Sequence, residues 1–185
     1  MQSQPVRRLS TRRLDLVAST LDHLLAELES AERLASSLNV RIGPGWPPGE
    51  YDREAQELFR DRLLEGGEDV VGWYGWYAIR READGQPAQV VAAGGFLGPP
   101  GDDGIVEIGY SVVESFQRQG FATEIVDALV CMAFRDPRVR VVVGRAAAEN
   151  RGSLAVLVRA GFVQASHADG DATLRFELAR ETMEG

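Results

Sequence analysis

The stretch Val106-Glu-Ile-Gly-Tyr-Ser-Val-Val-Glu-Ser-Phe-Gln-Arg-Gln-Gly-Phe-Ala-Thr-Glu124 decides how this chain is read. It opens as an apolar strand that ends near Val113. A turn, Gln117-Arg-Gln-Gly-Phe-Ala122, then runs directly into a helix whose apolar residues Ile125, Val126, Leu129 and Val130 recur at helical spacing. A strand feeding a glycine-bearing turn and a helix start presents free backbone N–H groups at the positive end of a helix dipole. That arrangement suits a phosphate or pyrophosphate. Gly120 lets the backbone approach such a group with no Cβ in the way, and small Ala122 keeps the first helical turn open. Two readings fit the turn by itself: an anion-binding loop, or a tight strand-to-helix connection in which Gly120 only supplies permissive dihedrals.

The rest of the chain narrows the choice. Every one of the 20 basic residues is arginine. Without lysine there is no P-loop, no pyridoxal-phosphate Schiff base and no kinase-type lysine. Gly43-Pro-Gly45 is followed by Trp46-Pro-Pro48, which is a loop and not a dinucleotide fingerprint. Neither Cys-x-x-Cys nor His-Glu-x-x-His occurs, so metal chemistry has little basis, and a Gly-x-Ser-x-Gly nucleophile elbow is missing too.

The spacing Gln117-x-x-Gly120-x-Ala122 resembles the pyrophosphate loop of the GNAT acyltransferase superfamily, Gln/Arg-x-x-Gly-x-Gly/Ala. Downstream, strand-like Arg138–Ala146 is followed by Glu149-Asn150-Arg-Gly-Ser153 and then by Gly161-Phe162. This is similar to the superfamily order of strand, Asn-x-x-Ser/Ala, short helix and Gly-Phe. Upstream, Thr11-Arg-Arg-Leu14-Asp-Leu16 and Glu107-Ile-Gly-Tyr110 resemble the branch containing ribosomal-protein-alanine N-acetyltransferases. The resemblance runs from Thr11 to Leu178. It implies an α+β, three-layer α/β/α GNAT fold with a mixed, mostly antiparallel sheet splayed at its centre. It also implies acetyl-CoA as cofactor and direct acetyl transfer to a primary amine in a ternary complex. On this resemblance Tyr110, Ser111, Val112 and Val113 line the pantetheine arm, with the Val112 N–H donating to the thioester carbonyl oxygen. Gln117, Arg118, Gln119, Gly120, Phe121, Ala122 and Thr123 hold the diphosphate. Asn150 and Ser153 lie along the arm as well.

A length of 185 residues suits one GNAT domain spanning 1–185, with enough apolar sequence (44%) for a core. Arg7–Arg13 is basic but lacks the apolar region of a signal peptide, and no apolar run is long enough to span a bilayer. The single cysteine, Cys131, forms no intrachain disulfide, and a cytoplasmic location is expected. A net charge of −8 argues against nucleic acid as a partner and favours long-range steering of a cationic amine. An anionic cofactor would then be held by local dipoles and by Arg118. Small amines and protein N-termini both fit as acceptors, and the oligomeric state, a homodimer included, is open.

The pattern predicts a strand over 11–17 and a helix over 20–38 that breaks near Ser30, with Ser19 or Thr20 as its cap and Leu21, Leu24, Leu25 and Leu28 buried. A loop over 39–50 and a helix over 52–64 come next. Strands over 70–80, 89–97 and 105–113 should form an antiparallel meander. A helix over 120–135, a strand over 138–146, a helix over 151–160 and strands over 162–167 and 172–179 complete the order.

Acetyl transfer to an amine needs a neutral nucleophile, since an alkyl amine with a pKa near ~10 is mostly protonated at neutral pH. Strand alternation puts Glu107, Gly109 and Ser111 on one face, opposite Val106, Ile108, Tyr110 and Val112. Glu107, set between apolar neighbours, is the expected base; pairing with an arginine is its structural alternative. Glu149 is a weaker base, better suited to complementing a helix dipole. His23 and His167 are given no catalytic role. Many family members carry a proton-donating tyrosine seven residues after the motif asparagine, but here that position is Leu157. Ser153 is the substitute catalytic donor, and a coenzyme thiol with a pKa near ~8.5 leaves tolerably without much help. Asn150 should also cap the helix that follows it, and Gly161-Phe162 should close that helix. Trp73, Tyr74, Trp76 and Tyr77 read as core, a border of the acceptor pocket on one face being the alternative, while Gly43–Tyr51 is either an acceptor lid or a connector. The competing functional readings are a non-catalytic acyl-CoA-binding or regulatory module, motivated by Leu157, and an unrelated nucleotide binder using the same turn.

Overall fold

The computed structural model describes residues 7–165 and 172–183. Strands β1 (Arg8–Ser10) and β2 (Leu14–Ala18) lead into helices α1 (Leu21–Glu29) and α2 (Ala31–Leu38), then β3 (Arg41–Ile42) and α3 (Arg53–Gly66). The meander β4 (Gly75–Arg80), β5 (Gln89–Phe96) and β6 (Ile105–Val112) precedes α4 (Phe121–Ala133), β7 (Val141–Ala146) and α5 (Arg151–Arg159). Two further strands, β8 (Val163–Gln164) and β9 (Leu174–Ala179), and a last turn of helix, α6 (Arg180–Met183), close the order. The sheet runs β1-β2-β4-β5-β6-β7-β9-β8, with β3 alongside β5. It is antiparallel except at the β6–β7 and β3–β5 pairs.

Helices cover both faces. The large core joins Val106, Ile108, Phe121, Ile125, Leu129, Val142, Ala146 and Leu157, so α4 and α5 share one face. On the other face α1, α2 and α3 pack through Leu24, Phe59 and Leu63 and through Val17, Leu34 and Tyr77. This is the three-layer arrangement that the resemblance implied.

Several boundaries move for local reasons. Thr11–Arg13 is a turn and not strand, because Thr11 N–H and its hydroxyl both bond Leu14 O, reversing the chain between β1 and β2. The helix over 20–38 does break at Ser30, whose side chain accepts from Arg33 N–H and caps α2, while the Thr20 hydroxyl caps α1. The buried face of α1 is His23, Leu24 and Glu27; Leu25 is 49% exposed and does not belong to the stripe. Residues 67–70 form a 3₁₀ turn, so β4 starts only at Gly75. Trp73, Tyr74, Trp76 and Tyr77 are all buried, the core role expected for them. The predicted strand over 162–167 ends on residues outside those described, His167 among them, while the one over 172–179 is strand from Leu174 onward.

Glu27 is the one acid buried on the α1 face, and its surroundings explain it. Oε1 accepts from Trp46 Nε1 at 2.8 Å and Gln56 Nε2 at 3.2 Å; Oε2 accepts from Tyr51 OH at 2.8 Å and Tyr77 OH at 2.6 Å. These donors come from the 43–51 loop, α3 and β4, so one carboxylate ties three segments to α1. Burial pushes its carboxyl above the ordinary 4.5, despite the bonds from Tyr77, Tyr51 and Trp46 that pull it down. The folded protein therefore binds this proton more readily than the unfolded chain does. Stability from this group is present below 4.5 and is lost as pH rises through its raised folded value. Glu27→Gln puts an amide donor against two of the four donors and should cost about 2 kcal/mol, roughly 4–8 °C in Tm for a chain of this size. Thermal melts should show that deficit largest at low pH and shrinking as pH rises; a pH-independent difference would mean Glu27 does not titrate this way.

Candidate active site

The two parallel strands at the sheet centre part company. β6 pairs with β7 only over Ile105–Ile108, opposite Val141–Gly144. Beyond that point β6 stays with β5 up to Val112, opposite Ala92, while Arg145 and Ala146 of β7 continue with β9. Leu97 N–H donates to Glu107 O and Val113 N–H to Val91 O, so the odd-numbered residues of β6 aim their backbone groups at β5. By strand alternation Tyr110 and Val112 aim theirs toward β7, where past Ile108 no strand receives them. Val112 O accepts instead from Gln117 Nε2 at 3.1 Å. The Val112 N–H and both backbone groups of Tyr110 thus face the opening. Both parallel strands end there, and α4 and α5 begin there, a usual place for a ligand in sheets with parallel strands.

The turn between β6 and α4 has the geometry its spacing demanded. A 3₁₀ turn over Glu114–Phe116 leads to Arg118 at φ 59° and Gly120 at φ 82°, the residue before Phe121. The first helical bond of α4 is Glu124 N–H to Gly120 O. Among the described residues, the amides of Arg118, Gln119, Gly120, Phe121, Ala122 and Thr123 donate to no protein acceptor. They converge at the positive end of a 13-residue helix. Gln117 and Gln119 spend their side-chain amides inside the turn, on Val112 O and Ser115 O. Arg118 is exposed.

Arg13, from the β1–β2 turn, braces this loop. Nη1 donates to Gln119 O at 2.9 Å, and Nε to Glu124 Oε2 at 2.8 Å. Its guanidinium lies 4.3 Å from the Phe121 ring centroid, a stacked cation. Glu124 also accepts from the Thr11 hydroxyl and from Arg13 N–H. Burial alone would raise the Glu124 carboxyl; these bonds and the Arg13 charge outweigh it and hold the group below its ordinary value. Reading along the chain missed Arg13 in this role, since the residues it joins are more than a hundred positions away.

On the α5 side, Asn150 Oδ1 accepts from Ser153 N–H at 3.0 Å, the cap expected of it. Tyr110 OH donates to Ser153 O at 3.2 Å, spanning from β6 to the first turn of α5, and burial raises its pKa. The Ser153 hydroxyl engages no protein group among the described residues. Leu157 is fully buried; a Cβ on Gly144 would lie 2.5 Å from its Cδ2. Leu157 therefore fills a niche over the point where the strands part, and no hydroxyl comes from that position.

The opposite face of β6 carries Glu107, Gly109 and Ser111, as alternation predicted. Arg145 Nε donates to Glu107 Oε2 at 3.4 Å, with the two side chains 33% and 32% exposed. A Cβ on Gly109 would meet open space. The 43–51 loop closes one end of this face: a Cβ on Gly49 would sit 3.1 Å from Ser111 Oγ, and one on Gly45 3.3 Å from Val113 Cγ1. Held by Glu27 through Trp46 and Tyr51, that loop is a wall and not merely a connector.

Free amides at a glycine-led helix start, an unpaired strand edge beside them and an open face behind the strand are the parts that a diphosphate-bearing acyl carrier needs. A family model described as "Acetyltransferase (GNAT) domain" matches residues 13–163, and the chain belongs to that family. Among curated proteins it is 26% identical over 155 residues to an uncharacterised N-acetyltransferase of Bacillus subtilis, YjdG, covering 84% of this chain and 89% of that one. Its fold is similar to the ribosomal-protein-S5-alanine acetyltransferase of Vibrio fischeri, at TM-score 0.64, 14% identity and 95% and 97% coverage. It is similar also to RimL, a ribosomal L7/L12 α-N-protein acetyltransferase solved with coenzyme A, at TM-score 0.62, 19% identity and 94% and 98% coverage. Among the described residues, no helix is long and apolar enough to cross a membrane.

Proposed function

We propose that the chain is an N-acetyltransferase that moves an acetyl group from acetyl-CoA to a primary amine by direct transfer in a ternary complex. The observation that carries the reading is the set of unpartnered amides over Arg118–Thr123 beside the unpaired edge of β6. Bound there, acetyl-CoA would supply an activated thioester acyl group. The loop amides and Arg118 bind its diphosphate, while Tyr110, Ser111, Val112 and Val113 flank the arm, with Asn150 and Ser153 across the opening. The Val112 N–H, aimed at the opening, donates to the acyl oxygen as charge grows on it. Glu107, on the open face, takes the amine proton directly or through water, with Arg145 orienting its carboxylate. Ser153, whose hydroxyl is unengaged, is the donor available to the departing sulfur. The acceptor enters from the Glu107–Ser111 face along the 43–51 wall. A protein α-amine is the class that the ribosomal-protein relatives suggest.

A second reading, an acyl-CoA-binding module without catalysis, is favoured by one observation: Leu157 is locked in the core at the position where the resemblance implies a proton-donating tyrosine. Incubation with acetyl-CoA, a panel of amines including N-terminal peptides, and a thiol reagent separates the two. Sustained CoA release above hydrolysis with at least one amine is expected. Tight CoA binding with no release for any amine would favour the binding module.

A further inference from the structure

Arg13 has more donors than the protein uses. Nε is taken by Glu124 and Nη1 by Gln119 O. Nη2 donates to no acceptor among the described residues and stands 3.3 Å from where a Cβ on Gly120 would lie. Stacking on the buried Phe121 ring and the ion pair with Glu124 fix the guanidinium plane, so Nη2 is aimed and not free to roam. Gly120 is flanked by the very amides that have no protein partner. The side chain is 36% exposed, open enough to meet a ligand yet anchored at two points.

Resting on the cofactor reading above, we propose that Arg13 is a ligand of the cofactor diphosphate, reaching it from the β1–β2 turn beside the loop amides. A chain with net charge −8 must collect cations locally to hold an anion, and Arg118, exposed on the turn, is a less constrained one. Glu124 then has a distinct part: it orients Arg13 and touches no phosphate. The two residues are an ion pair, yet removing each should have unequal consequences. Loss of Arg13 removes a charge-assisted bond to phosphate, whereas loss of the Glu124 charge only loosens the guanidinium, which Phe121 and Gln119 O still hold.

Calorimetric titration with coenzyme A and with 3′-dephospho-coenzyme A tests this on the full chain. Arg13→Gln should weaken both ligands by about 10-fold or more, the worth of one charge-assisted bond. Glu124→Gln, which keeps one bond to Arg13 and removes an acid from beside the anion, should weaken both ligands clearly less than Arg13→Gln does. Arg13→Lys, whose single ammonium cannot hold Glu124 and Gln119 O and still reach a phosphate, should lose part of the binding of both ligands and carries the comparison if the glutamine variant does not fold. Equal losses in the Arg13 and Glu124 variants would mean that Arg13 only braces the loop and would overturn the proposal. A loss seen with coenzyme A but not with the dephospho form would also overturn it, moving the contact to the 3′-phosphate. Unchanged affinity in Arg13→Gln, with wild type binding normally, sinks this proposal alone. Failure of wild type to bind either ligand sinks the cofactor reading and this proposal with it.

Discussion

Gly120→Glu should lower acetyl-CoA affinity by about 100-fold or more while leaving the fold intact. Two effects add. At φ 82° any side chain costs roughly 1–2 kcal/mol of backbone strain, most simply relieved by shifting the turn and misaligning its amides. The carboxylate would also stand against the diphosphate, and each pair of like charges about 4 Å apart costs roughly 1 kcal/mol in water and about 4 kcal/mol near a protein surface. A Cβ at this position lies 3.3 Å from Arg13 Nη2, so the new acid can capture that cation as well. Gly120→Ala isolates the strain and should show the smaller loss. Calorimetry that found unchanged affinity in the glutamate variant would remove this loop from the binding site.

Glu107→Gln should reduce kcat by about 100-fold, the low end of what a positioned base contributes, with acetyl-CoA affinity unaltered. Glu107 sits on the face of β6 opposite Tyr110 and Val112, away from the α4 side. The substitution preserves shape and can keep one contact with Arg145. An unchanged kcat in the variant would make Glu107 a structural partner of Arg145 and nothing more.

How much of this was legible along the chain depended on the range of the interactions. The break at Ser30, the caps at Thr20 and Asn150, the glycine-led start of α4 and the meander are set by neighbours within a few residues, and local sequence carries such signals. The faces of β6 followed from alternation alone. What escaped depends on distant partners. The 43–51 loop is fixed by Glu27 from α1 and by packing on Ser111 and Val113. Arg13 meets Glu124 across 111 positions. The α1 stripe was misjudged because four leucines outweighed one acid. Yet Glu27 falls on the same helical face as Leu24 and His23, and an acid there was the available sign that polar partners wait inside. The short edge strand β1 and two-residue β3 have too little sequence for any period to register.

Where an anion docks decides the function of this site, and amide NMR reads that directly. In a titration of labelled protein with coenzyme A, the N–H resonances of residues 118–123 and of Val112 should move most, with those of β8 and α2 nearly still. Saturable binding that leaves the 118–123 amides unmoved and shifts another region would contradict it.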